Sequence, residues 1–169
     1  IFALELEVEA AEPLLPETDL PEKTIIGYRG DRKRLLLVDD NRTNLAMLTE
    51  LKEAGVKIAL ATNRGGVAWG FNTLEQAKDL AFEAAELCGI PDVPIYVCPY
   101  HAKAASRRPN SEYAIEHECR KPRPGMLIEA MEHFGIKPEN TLFVGDFDTD
   151  KKAAENAGTD FEWADKYFG

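Results

Sequence analysis

The stretch "TLFVGDFDTDKKAAENAG", residues 141–158, joins an apolar run to a helical pattern through a turn crowded with carboxylates. Residues 141–146 are nearly continuously apolar, which is typical of a strand buried on both faces of a parallel sheet. Residues 150–158 repeat apolar side chains at helical spacing and end in glycine, a common residue at a helix end. A strand followed by a helix is the repeating unit of α/β folds.

The same unit recurs along the chain. Apolar runs predict further strands, and helical spacing predicts helices between them; the strands are 34–40, 56–63 and 94–99, and the helices are 44–55, 74–89 and 124–135. This alternation predicts an α/β fold with a doubly wound, mostly parallel, Rossmann-like sheet.

Two segments do not follow the alternation. Residues 1–33 combine a strand-like start with a Pro-rich loop, and residues 100–120 have no clear period. The 169 residues suit one domain, 1–169, and leave little room for a second unit such as a large cap domain.

The amino-acid composition limits the kinds of partner that the protein is expected to bind. With 30 acidic against 20 basic residues, the formal charge of −10 repels nucleic acid. No apolar run reaches the roughly 20 residues of a membrane span. We therefore expect a cytoplasmic monomer that binds neither nucleic acid nor membrane. Three cysteines, Cys88, Cys98 and Cys119, argue against a disulfide scaffold and leave buried thiols or metal ligands.

The predicted strand ends carry polar residues, and ligands of such sheets bind beyond the carboxyl ends of the strands. Thr62 and Asn63 end one strand and precede glycines whose N–H groups could hold a phosphate. Lys121 stands before a helix that starts with proline, where its charge could neutralise a phosphate. Each signal alone also fits an ordinary turn or a surface lysine.

Asp146, Asp148 and Asp150 follow the strand of residues 141–146. Carboxylates this dense suit a hard cation such as Mg²⁺ held by few protein ligands. They also suit an ordinary helix start, because acidic side chains are favourable near a helix N-terminus.

In this order, Thr-Asn, Lys-Pro and Gly-Asp-x-x-x-Asp resemble motifs two, three and four of the haloacid dehalogenase (HAD) superfamily. The resemblance covers about residues 44–169. It extends through "TNRGGVAWGFNTLEQA", "CRKPRPGML" and the closing "WADKYFG" to the branch that contains the histidinol-phosphate and heptose bisphosphate phosphatases.

The resemblance implies Mg²⁺-dependent hydrolysis of a small phosphate monoester, such as a sugar phosphate. It implies that Thr62 and Asn63 bind the phosphate, that Lys121 neutralises it, and that Asp146 binds Mg²⁺ with Asp150 in support. These roles agree with phosphoryl transfer, which depends mainly on positioning and charge stabilisation. The alternative is a catalytically silent relative that binds a phosphorylated ligand or a protein partner.

The first motif departs from the family pattern Asp-x-Asp-Gly-Thr, whose first Asp attacks phosphorus. Asp39 to Thr43 comes closest, but Asn and Arg replace the second Asp and the Gly, and only 22 residues lie between Asp39 and Thr62. The spacing therefore predicts that motif one lies upstream, at Glu5 and Glu7, and that Asp39 and Asp40 are not the nucleophile. Glu5 and Glu7 also fit the solvent face of an edge strand.

The stretch "LLLVDDNRTNLAMLTELKEAG" also resembles the start of a bacterial receiver domain. The later chain does not support that interpretation. The third predicted strand ends in Cys98 and Pro99 where a receiver carries its phosphorylated aspartate, and the acidic turn at 146–150 has no receiver role.

Cys98, His101, His117 and Cys119 form a Cys₂His₂ set across the loop 98–120, which suits tetrahedral structural zinc. Relatives in the heptose phosphatase branch resemble it with a Cys-x-His…Cys-x-Cys loop. Here Tyr100 takes the place of the family histidine, so His101 would have to substitute from one residue further on. A loop held by ordinary packing is the alternative.

Overall fold

A computed structural model of the protein describes residues 35–38, 45–108 and 110–168. Within these ranges five strands form one sheet in the order β3-β2-β1-β4-β5. The strands are β1 Leu35–Val38, β2 Lys57–Asn63, β3 Ile95–Cys98, β4 Thr141–Gly145 and β5 Asp160–Trp163. Each neighbouring pair is parallel, which confirms the predicted sheet.

Helices connect the strands, as the alternating pattern predicts. They are α1 Leu45–Glu53, α2 Gly66–Trp69, α3 Leu74–Leu87, α4 Gly125–Phe134, α5 Asp148–Ala157 and α6 Ala164–Phe168, with 3-10 turns at Ala102–Ser106 and Pro138–Asn140. The start of α3 is fixed by a capping box, in which Thr73 accepts from Gln76 N–H and the Gln76 side chain accepts from Thr73 N–H.

The helices cover both faces of the sheet, because side chains alternate along a strand. On β2, Ile58 and Leu60 belong to a buried cluster that includes residues of α1, α3 and α6. Ala59 and Ala61 belong to the opposite cluster, which is built with α4 and α5. Each βα unit therefore buries its apolar stripe against the same central sheet.

The central strand is β1, which lies between β2 and β4 with Val38 in register with both Leu60 and Val144. The carboxyl ends of these three strands consequently meet at one edge, which we call the carboxyl edge. No helix in the described part of the chain is both long and apolar enough to cross a membrane.

Candidate active site at the carboxyl edge

A buried ion pair lies at the carboxyl edge. Lys121 Nζ is 2.8 Å from Asp150 Oδ1, and the two side chains are only 2% and 1% exposed. The same ammonium donates a hydrogen bond of 2.8 Å to the carbonyl of Ala61. One cation therefore joins the segment before α4, the first turn of α5 and the end of β2.

Asp150 reaches Lys121 because the end of β4 leaves room for it. A Cβ atom on Gly145 would lie 2.5 Å from the Cβ of Asp150, closer than two carbons can approach. The second carboxylate oxygen, Oδ2, accepts a hydrogen bond of 3.0 Å from Phe147 N–H. Both oxygens of Asp150 are therefore engaged within the protein, so its direct role is to hold Lys121 in place.

Asn63 fixes the main chain of Lys121. Its Oδ1 accepts from Lys121 N–H and its Nδ2 donates to the Lys121 carbonyl, both at 3.2 Å. The peptide bond between Lys121 and Pro122 is cis. The resemblance implied phosphate binding by Asn63, whereas this geometry gives the amide a positioning role. Spacing in the sequence could not reveal a pairing across 58 residues.

Thr62 and Asp146 are two further candidate site residues at the carboxyl edge. Thr62 is 1% exposed at the end of β2, and Asp146 is exposed directly after β4. An exposed carboxylate at this edge suits a hard divalent cation that keeps several water ligands. The described residues therefore fit Mg²⁺ through Asp146, with Asp150 acting indirectly through Lys121.

Four residues predicted or weighed for the first motif lie outside the described residues. These are Glu5, Glu7, Asp39 and Asp40. Their roles stay predictions.

The loop after β3 holds a second cluster, which we call the thiol cluster: Cys98, Tyr100, His117 and Cys119. His117 Nδ1 is 3.0 Å from Cys119 Sγ, and Cys119 packs against the buried cluster that contains Cys98. The Tyr100 ring stacks on the His117 ring, with centroids 4.0 Å apart and planes 7° apart.

Zinc is not supported at this cluster. His101, the fourth predicted ligand, packs its ring against Trp69 at 5.5 Å and lies beside Gly65. Among the described residues no group of three or more His, Cys, Asp or Glu side chains is arranged to hold a metal. A tetrahedral site needs four converging donors, so these residues do not fit structural zinc.

Local contacts change the pKa values of this loop. A hydrogen bond from Cys119 lowers the pKa of the Cys98 thiol, with help from the charges of Arg120 and Lys121. The same hydrogen bond, followed by burial, raises the pKa of Cys119. Burial, followed by the charge of Arg120, lowers the pKa of His101.

A cavity of about 810 Å³ opens among the segments that follow β2 and β3. Its lining mixes aromatic and polar residues, among them Phe71, Asn72, Arg108, Ser111 and Tyr113. Sequence patterns do not predict this cavity, because its lining comes from two segments distant in the chain, of which one belongs to the aperiodic stretch 100–120.

Comparison with known proteins agrees with this fold. A family model described as HAD-hydrolase-like matches residues 118–162. A heptose-1,7-bisphosphate 7-phosphatase of Pasteurella multocida is 32% identical over 135 residues, spanning 78% of this chain and 68% of that protein. The Yersinia pestis protein of the same name is 37% identical, spanning 65% of this chain and 59% of that protein.

Two solved structures share the fold. A HAD-like phosphatase from Mesorhizobium loti superposes with a TM-score of 0.64 at 24% identity, covering 76% of this chain and 70% of that one. A D,D-heptose 1,7-bisphosphate phosphatase from B. bronchiseptica, solved with magnesium and phosphate, gives a TM-score of 0.58 at 22% identity over 76% and 78% of the two chains. The chain belongs to the HAD-like hydrolase family.

Proposed function

We propose that this protein is a Mg²⁺-dependent phosphatase that hydrolyses a small phosphate monoester whose leaving group is a sugar. The observation that carries the proposal is the buried Lys121–Asp150 pair at the carboxyl edge, where Thr62 lies at the end of β2 and Asp146 follows β4. The heptose bisphosphate phosphatase names of the relatives support the substrate class.

The described residues supply positioning and charge. The Lys121 ammonium neutralises the negative charge of the phosphoryl group, and its place is set by Asp150, Asn63 and the Ala61 carbonyl. The Thr62 hydroxyl binds a phosphoryl oxygen at the same edge. When bound, Mg²⁺ at Asp146 supplies further charge neutralisation.

We assign the leaving group to the cavity of about 810 Å³, because its volume lies within the usual range for ligand pockets and its lining belongs to the segments that follow β2 and β3, although neither Thr62 nor Lys121 lines it. Arg108, Asn72 and Ser111 offer hydrogen bonds to hydroxyl groups, and Phe71 and Tyr113 offer apolar contact. Such a lining favours a polyhydroxylated group over a purely apolar one.

The candidates for the attacking carboxylate lie in residues 1–34 and 39–44, outside the described residues. Glu5 and Glu7 are the candidates that the spacing favours. The position of β1 gives a competing reason to choose Asp39 and Asp40, because only one strand lies between β2 and β4 and these residues follow it directly in sequence. Since phosphoryl transfer needs its nucleophile close to Thr62 and Lys121, we favour Asp39 or Asp40.

The alternative is a catalytically silent protein that binds a phosphorylated ligand at the same edge. It is favoured by Asn41 and Arg42, which stand where the family pattern has its second Asp and its Gly. In family members the second Asp transfers protons, so its replacement would slow turnover without removing phosphate binding.

A substrate screen separates the two functions. Release of inorganic phosphate is measured over a panel of sugar phosphates, with Mg²⁺ and with EDTA, and binding of inorganic phosphate is measured by calorimetry. Hydrolysis that EDTA abolishes supports the phosphatase. Phosphate binding without hydrolysis supports the silent protein, and the absence of both would contradict each proposal.

A further inference from the structure

An apolar groove on the face of the sheet that α4 and α5 cover has no role in the proposed function. It has a volume of about 490 Å³ and lies between α4, the turn that follows α4 and the end of α5. Its apolar and small lining residues are Ile128, Met131, Gly135, Ile136, Pro138 and Ala157. Since Ile128 is 40% exposed, an apolar segment that covered the groove would remove apolar surface from water.

The chain enters the sheet beside this groove. Leu35, the first residue of β1, is the register partner of Thr141, the first residue of β4. The Thr141 hydroxyl donates a hydrogen bond of 3.0 Å to the carbonyl of Lys137, which lines the groove. Residues 1–34, which lie outside the described residues, are therefore joined to β1 at the end of the sheet where the groove lies.

An apolar stretch of that segment is near enough in the chain to reach the groove. The sequence "TIIGY", residues 24–28, brings two isoleucines and a tyrosine together. Residues 29–34 separate it from β1 and can span about 20 Å when extended. The groove requires less, because the helix rises only about 10 Å between Ile128 and Gly135.

Charge favours the same pairing. Residues 29–34, "RGDRKR", hold four basic side chains and one acidic side chain, whereas the whole chain has a formal charge of −10. On the side of the groove, Glu132 belongs to the lining and Glu139 to the next turn, against one lysine, Lys137. The basic linking residues are consequently attracted to this end of the sheet.

We propose that residues 24–28 of the same chain dock into this groove. Ile25 and Ile26 fill it against Ile128 and Ile136, and residues 29–34 connect the docked stretch to β1. The docked stretch bridges α4 and α5, because both helices contribute to the lining.

The docked segment acts on the candidate active site through these two helices. α4 begins at Gly125, shortly after Lys121, and α5 carries Asp150 in its first turn. The groove lies toward the opposite ends of the same helices, so the segment braces the pair of elements whose other ends are joined by the buried ion pair. The docking does not depend on the proposed phosphatase activity, and it is tested separately from it.

Photo-cross-linking of the full chain tests the contact directly. Tyr28 is replaced by the photoreactive aromatic residue p-benzoylphenylalanine, unlabelled and ¹⁵N-labelled chains are mixed, and the products are analysed as tryptic peptides. We expect cross-links to residues 128–138 within one chain. The matched control carries the same photoreactive residue in place of Phe2, another aromatic of the N-terminal segment, and should not give that pattern.

Hydrogen exchange of the full chain tests the bracing. Ile25→Ser combined with Ile26→Ser should raise the amide exchange rates of residues 128–136 about tenfold, because undocking exposes that end of α4. Leu14→Ser combined with Leu15→Ser, a matched pair of changes in the Pro-rich part of the segment, should leave those rates unchanged.

Three results would overturn the proposal. Cross-links between labelled and unlabelled chains would show that a second copy fills the groove. Loss of protection in the Leu14 and Leu15 variant alone would assign the groove to the Pro-rich part, and absence of any cross-link to residues 128–138 would show that residues 24–28 do not dock there. If the isoleucine variant does not fold, the cross-link of the Tyr28 replacement decides the question by itself.

Discussion

Two pairs of side chains fix the same short segment, residues 119–121, by different means. Lys121 is fixed to Asp150 by a buried ion pair with further hydrogen bonds to the main chain. Half-buried Cys119 contacts His117 through its sulfur, which lies 3.0 Å from the His117 Nδ1 atom.

The difference shows how burial determines what each pair can tolerate. A buried charge that loses its partner is left without solvation, so neither member of the ion pair can change alone. A thiol is a small apolar group that loses little when it is buried. We therefore expect the ion pair to be sensitive to any substitution and the contact of Cys119 with His117 to tolerate substitution better.

Lys121→Met should produce the largest effect. It leaves Asp150 buried without a partner, which typically costs about 3–5 kcal/mol of unfolding free energy. Urea unfolding measures this loss, and Lys151→Met, an exposed site on α5, is the control. The double variant with Asp150→Leu should recover most of the stability but no activity; a stable single variant would show that the pair does not hold the segment.

The second-largest effect is expected for substitutions of the attacking carboxylate. If the protein is active, Asp39→Asn or Asp40→Asn should lower kcat a hundredfold or more, whereas Glu5→Gln and Glu7→Gln should retain most of the rate. The physical reason is the central place of β1 between Thr62 and Asp146. Circular dichroism checks that each variant folds, and the opposite pattern would place motif one upstream, as the sequence spacing predicts.

Asp146→Asn should weaken Mg²⁺ binding and leave the fold intact, because the side chain is exposed beyond the end of β4. The Mg²⁺ concentration needed for half-maximal activity, or the Mg²⁺ affinity by calorimetry, should rise about tenfold or more. Asp148→Asn, exposed in the same turn, is the matched control. Equal effects of the two substitutions would argue against a specific site.

The thiol cluster can be converted to test its metal preference. Tyr100→His combined with His117→Cys restores the Cys-x-His…Cys-x-Cys pattern, and we expect this variant to bind about one zinc per chain. The unchanged protein should bind none. Elemental analysis after preparation without chelator decides the matter, and zinc in the unchanged protein would restore the original prediction.

The smallest effect is expected in the pH dependence of stability. Burial lowers the pKa of His101, so the folded state favours neutral imidazole. As the pH falls below the usual histidine pKa of about 6.5, the unfolded chain takes up the proton first, and stability is lost toward the lower folded pKa. His101→Phe should therefore lose less stability than the parent between pH 7 and pH 5. The exposed His133→Phe is the control, and parallel pH profiles would contradict the assignment.

The strands that sequence predicts well are those buried on both faces. The predicted strand 56–63 corresponds to β2, Lys57–Asn63, because an apolar run has one stable place in a parallel sheet. β5, with the sequence DFEW, was missed because its residues are all half-buried at the sheet edge and lack that run. α2 was also missed, since glycines before it predict a turn.

The site was predictable where its residues follow strands. Thr62 and Asp146 lie at the carboxyl edge because parallel strands end there. The two hydrogen bonds between Asn63 and the Lys121 main chain were not predictable, and neither was the packing of His101 against Trp69. Both depend on side-chain directions across loops, which spacing along the chain does not determine.

Gly145 places a constraint on how this chain can vary. Any side chain there would occupy the space of Asp150, so a change at position 145 would need a compensating change at position 150, and through it at Lys121. Positions 121, 145 and 150 are therefore expected to vary as a unit. Selection experiments that randomise one of them should recover the original residue, whereas those that randomise all three together should recover functional combinations absent from the single libraries.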